Sequence, residues 1–103
     1  MLLISIENRP TDVLVQFDGH AGHSGEDDVC AMASVLFYTA VNWLDRSNYL
    51  LGYEDSSCSR SRWLRAQCGQ KPEAVVEAMM TGLQMLAESY PQNVQVLRKA
   101  ETV

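Results

Sequence analysis

Leu2 to Glu7 and Val13 to Asp18 are two runs in which apolar side chains alternate loosely with polar ones, the period of a half-buried β-strand. "ENRPTD" between them is turn chemistry, so the two runs are expected to close a hairpin. Gly19 follows where the second strand should end. From Val29 the period lengthens: Val29, Met32, Ala33, Leu36, Phe37, Ala40, Val41 and Leu44 fall at helical spacing, an apolar stripe that predicts an amphipathic helix. "NYLLGYE" (48–54) and "RSRWLRAQ" (60–67) read as short strands around the serine-rich "DSSCS". Pro72 suits the first turn of a second helix whose apolar side carries Val75, Val76, Met79, Leu83, Leu86 and Ala87. Tyr90-Pro91 stops that helix, and Val94 to Leu97 forms a last strand. The order ββαββα with a terminal strand predicts an α+β, two-layer sandwich: two helices on a mainly antiparallel sheet. Strand order is not readable from this pattern.

Length and composition narrow the setting. A chain of 103 residues has room for one core, so residues 1–103 are expected to form one domain. Hydrophobic residues make up 47% and charged residues 20%, the balance of a soluble globular protein. Eight Lys plus Arg against thirteen Asp plus Glu leave a formal charge of −5, which argues against direct nucleic-acid binding or docking on anionic lipid. "MLLISIENRP" has no basic leader and reaches Glu7 almost at once, so neither a signal peptide nor a membrane span is expected. Cys30, Cys58 and Cys68 form no CxxC pair and are odd in number. Free thiols of this kind suit a reducing, cytoplasmic setting.

The chemistry concentrates in "GHAGHSGEDDVC" (19–30), between the second strand and the first helix. His20 would sit at a strand exit and Cys30 in the first turn of a helix, where unpaired N–H groups and the positive end of the dipole favour an anionic sulfur. A histidine on the facing strand end could take the thiol proton and later protonate a leaving amine. Gly19, Gly22 and Gly25 would let the loop bend over a substrate. Glu26, Asp27 and Asp28 work against a second anion; one of them could cap the helix or orient the His20 ring.

Together, Gly19, His20, Ala21, Gly22, Gly25, Asp27, Val29, Cys30, Ala31 and Ser34 resemble the signature of the Prp family, the bacterial ribosomal-processing cysteine proteases. Weaker similarity runs through "VNWL", "GLQMLAESYP" and the final strand. The resemblance implies a small dimeric cytoplasmic peptidase. It implies, as substrate, the N-terminal segment of ribosomal protein twenty-seven of the large subunit, removed by a cut in a phenylalanine-containing stretch. It implies Cys30 as nucleophile, His20 as general base, Gly19 as loop hinge, and Asp27 and Ser34 as supporting residues, with no cofactor and no metal. The loop from His20 to Cys30 is shorter than in typical members. Asp28 replaces an aliphatic residue and His23 an aromatic or other large one, changes that bear on substrate preference.

Each feature also has a plainer reading. Cys30 alone could be a buried structural thiol. His20 and His23 with Cys30 are zinc-type ligands. Cys58 and Cys68 read as incidental thiols, and Arg60, Arg62 and Arg65 as the solvated side of a strand. Met79, Met80 and Met85 read as core and surface of the second helix. Trp43 and Trp63 could be core anchors or a dimer seam. The competing function is a non-catalytic, ribosome-associated binding module of the same fold.

Overall fold

The computed structural model describes residues 1–19, 27–56 and 61–99. Its elements are β1 (Leu2–Asn8), β2 (Asp12–Gly19), α1 (Asp27–Arg46), β3 (Leu50–Ser56), β4 (Ser61–Gln67), α2 (Gln70–Ser89) and β5 (Val94–Lys99), in the order the hydrophobic pattern predicts. The strands form one mixed sheet in the order β3-β4-β2-β1-β5. Neighbours are antiparallel except β1 and β5, which run parallel. The parallel pair follows from connectivity: parallel strands need a long crossover, and α2 supplies it by carrying the chain from β4 over β2 and β1 to the far edge. In the same way α1 carries the chain from β2 past β4 to the opposite edge. Among the described residues no helix is long and apolar enough to cross a membrane.

Alternation decides what the helices cover. Ile4 and Ile6 on β1, Val13, Val15 and Phe17 on β2, and Leu64 and Ala66 on β4 share one face and are all at most 2% exposed. Against them lie Ala33, Phe37 and Leu44 of α1 and Val76, Met80 and Leu83 of α2. Phe17 meets Phe37 edge-on, ring centroids 5.3 Å apart and planes at 83°, an arrangement aromatic quadrupoles favour. The helices approach closely at Gly82, where an added Cβ would lie 2.8 Å from a Leu36 methyl.

The junction of α1 and β3 differs from the hydrophobic pattern. Asn48 belongs to the end of α1 rather than to a strand. It takes φ 64°, donates its N–H to the Asp45 carbonyl, and lets Tyr49 donate to Leu44, the paired bonds that close a helix around a left-handed residue. β3 therefore starts at Leu50, and a bulge between Leu50 and Gly52 shifts its register against β4. The extra residue puts Leu50, Tyr53 and Asp55 opposite Ala66, Leu64 and Arg62, on the helix side.

Of the arginines read as the solvated side of this strand, Arg65 keeps that place and Arg62 does not. Arg65 points to the open face and donates to Asp12 at 2.9 Å, while Arg9 grips both oxygens of the same carboxylate. Asp12 is 3% exposed, so this triad ties the first hairpin turn to β4. Arg62 faces the helices and is taken up below; Arg60 lies outside the described residues. Met79 and Met80 are core and Met85 is surface, as expected. Trp43 is 38% exposed and stacks on Tyr49, and Trp63 is half-buried on the open face beneath Gly52. Neither tryptophan anchors the core.

The Asp12 triad sets an acid-side dependence of stability. The Arg9 hydrogen bond, helped by Arg65, lowers the Asp12 carboxyl from 3.8 to about 2. A carboxyl depressed on folding stabilises the fold fully above its unfolded value and loses that contribution as pH falls through the folded one. The melting-temperature gap between the parent protein and Asp12→Asn should therefore be constant near neutrality. It should shrink as pH drops from about 4 toward about 2; thermal melts by circular dichroism across that range check it.

Candidate active site

α1 lies antiparallel to β2, and three contacts establish this. Phe37 packs on Phe17. One turn earlier, Ser34 accepts a hydrogen bond from Arg62 Nη1 at 2.8 Å, and Arg62 is the β4 partner of Phe17. Beyond the helix's other end, the Tyr49 carbonyl accepts from the Gln67 amide, where β4 pairs with the start of β2. The first turn of α1 thus overhangs the end of the sheet where β2 finishes at Gly19. Cys30 is the fourth residue of α1, partly buried and packed on the core edge. Residues four apart share a helix face, so Cys30, Ser34 and Tyr38 form one row directed toward β4 and β3.

That row meets a polar cluster. Arg62 bonds Ser34, pairs with Asp55 (Nε to Oδ1, 3.4 Å), and lies over the Phe37 ring at 5.4 Å from its centroid. Its side chain keeps 25% of its exposure and that of Asp55 23%. Tyr38 donates its hydroxyl to Asp55. This hydrogen bond to the carboxylate, with burial second, holds the phenol above its ordinary range. At the neighbouring strand ends Ser61 donates to Asp18 at 3.3 Å.

Gly19 closes β2 with φ +90°. A Cβ there would come within 2.4 Å of the Met1 carbonyl oxygen, so both backbone conformation and space require glycine. The chain leaves the sheet at that point and re-enters the described structure at Asp27, the first residue of α1. His20, Gly22, His23, Gly25 and Glu26 lie outside the described residues, as does the Asp27 side chain; Asp28, another cap candidate, is the second residue of α1 and exposed. Among the described residues no cluster of His, Cys, Asp or Glu could hold a metal ion; the zinc alternative rests on His20 and His23, outside them.

Of the residues singled out in the sequence, the structure brings Cys30 and Ser34 onto one face and places Gly19 at the strand end beneath them. Arg62, Asp55 and Tyr38 were missed as site residues. For Arg62 a signal existed, since it shares strand parity with buried Leu64 and Ala66. A separate apolar groove of about 650 Å3, lined by Met32, Val35, Leu36, Gly82 and Met85 among others, occupies the opposite flank of α1, between the helices.

A cysteine in the opening turn of a helix, following a strand by a segment whose sequence holds glycine and histidine, is an arrangement compatible with a thiol-dependent hydrolase. Comparison with known proteins agrees. The profile of the family described as cysteine protease Prp matches residues 1–95. The ribosomal processing cysteine protease Prp of Staphylococcus aureus strain Mu50 is 27% identical over 100 residues, covering 92% of each chain. A crystal structure of an essential ribosomal processing protease Prp from S. aureus, with a covalently linked product peptide, superposes with TM-score 0.79 at 25% identity. It covers 96% of this chain and 100% of that one. A Streptococcus mutans protein of known structure shares the fold, with TM-score 0.80 and 23% identity over 99% of this chain and 96% of its own. The chain belongs to the Prp family of cysteine proteases.

A side chain at position 19 should be poorly tolerated. Gly19→Ala must hold a left-handed backbone, at a cost of about 1–2 kcal/mol, and push Met1 off the sheet end. Its melting temperature should fall by roughly 5 °C or more, read by differential scanning calorimetry. An unchanged melting temperature would show that the end of β2 has room to adjust.

Proposed function

We propose that this chain is a cysteine endopeptidase that removes the N-terminal extension of ribosomal protein twenty-seven of the large subunit. We place it in the cytoplasm, acting as a homodimer. The observation that carries the reading is the position of Cys30: a half-buried thiol at the start of α1, above the strand end that leads directly into His20. In support, the S. aureus relative of known structure is a ribosomal processing protease with a peptide product bound.

In the proposed reaction His20 takes the proton from Cys30, and the thiolate attacks the scissile carbonyl carbon to form a tetrahedral intermediate. Backbone N–H groups of the opening turn of α1, or of the segment from Gly22 to Gly25, hold the oxyanion. The C–N bond then breaks, the amine leaves with the proton from His20, and an acyl-enzyme remains. Water, deprotonated by His20, releases it. Gly19 is the hinge about which the covering segment moves, and Asp27 is a supporting residue that orients His20 or the helix start. Substrate binds extended, its backbone pairing with protein backbone while side chains enter pockets.

Incubation with a peptide spanning the extension and its phenylalanine-containing cut site tests this by mass spectrometry. The parent protein should cleave once. Cys30→Ser and His20→Ala should each reduce turnover by at least about a thousandfold with melting temperature essentially unchanged. Cleavage persisting in Cys30→Ser would eliminate the mechanism. Binding of the peptide by the parent protein without turnover would favour the non-catalytic module.

A further inference from the structure

We propose that Arg62 is a positioning residue for the Cys30 sulfur: held by Asp55 and the Phe37 ring, it fixes the Ser34 hydroxyl with its proton directed at the turn carrying Cys30. The proposal rests on Cys30 being the reactive thiol.

The direction of the hydrogen bond carries the argument. A guanidinium has N–H donors and no acceptor, so in the 2.8 Å contact Ser34 Oγ must accept from Arg62. The single Ser34 proton is left for another partner. Helical side chains lean toward the N-terminus, over the residue four positions earlier. For Ser34 that residue is Cys30, which offers a backbone carbonyl and the sulfur. A hydroxyl accepting from a cation is a stronger donor, and its better acceptor is an anionic sulfur. When the Cys30 proton passes to His20, the Ser34 O–H can swing from carbonyl to sulfur without any proton changing owner. It returns as the sulfur bonds to carbon.

Arg62 is restrained more than packing alone requires, since Ser34, Asp55 and the Phe37 ring each hold part of it. Asp55 is fixed in turn by Tyr38. Because Asp55 offsets the Arg62 charge, the effect on sulfur passes through the Ser34 hydrogen bond and not through the bare field. Among the described residues, the charged and titratable groups that face the Cys30 and Ser34 row are Tyr38 of α1, Asp55 of β3 and Arg62 of β4, with Asp28 in the same opening turn as Cys30. In the substitutions below only Arg62 and Ser34 change.

In a Cys58→Ser, Cys68→Ser background, iodoacetamide labels Cys30 alone, and its rate is measured against pH beside kcat and KM for the extension peptide. Arg62→Gln and Ser34→Ala should each move the alkylation profile up by about one pH unit and lower kcat about tenfold, with KM within about twofold. The Arg62→Gln, Ser34→Ala double variant should be no worse than either single change, because both break one connection. Arg62→Lys, which keeps a charged donor where glutamine offers only a neutral and shorter one, should recover part of both losses. Additive losses in the double variant, or an alkylation profile left in place by Arg62→Gln, would overturn the proposal. If Arg62→Gln does not fold, an unmoved profile in Ser34→Ala overturns it equally. An alkylation shift in a protein that cleaves no peptide would count against the protease reading and still support this one.

Discussion

The contact between Phe37 and Phe17 holds the site together. It seats α1 across the middle of the sheet, and both rings are almost wholly removed from water. Replacing one such ring by alanine typically costs about 3–5 kcal/mol, a large share of the stability of a domain this size. Because helix and strands cross there at a set depth, the residues one and two turns before Phe37 are carried to the end of the sheet. Ser34 reaches Arg62, and Cys30 comes to stand over the point where β2 ends. The thiol is positioned by core packing well away from the chemistry.

The same packing explains why a polar cluster survives beside the core. Arg62 lies on the helix face in line with Leu64 and Ala66, where a lone charge would be costly. It is accommodated because its flat face covers Phe37, its edge meets Asp55 and its tip meets Ser34. Asp55 is available only because the bulge at Leu50/Gly52 turns β3 over by one residue. A regular β3 that kept Leu50 on the core side would have sent Asp55 to the open face.

Stability and chemistry are divided between the two ends of the sheet. At one end, Asp12 with Arg9 and Arg65 ties the first turn to β4. At the other, Gly19 ends β2 in a conformation suited to glycine, and the segment bearing His20 departs. The triad locks the hairpin, and the opposite end carries the Cys30 and Ser34 row on which the proposed reaction rests. Family membership fits this division, since a peptidase must admit an extended segment beside its thiol without loosening the sheet that orients it.

By itself the sequence determined the element order and the apolar stripe of each helix, because period-two and helical spacing report side-chain direction locally. Gly19 at a strand end and Cys30 in the opening turn of a helix were legible for the same reason. Strand order, the parallel pairing of β1 with β5, the helix stop at Asn48 and the joining of Arg62 and Asp55 to Ser34 were decided only by tertiary structure. Each depends on a crossover, a bulge or a pairing between segments far apart in the chain, and such contacts leave no local period to read.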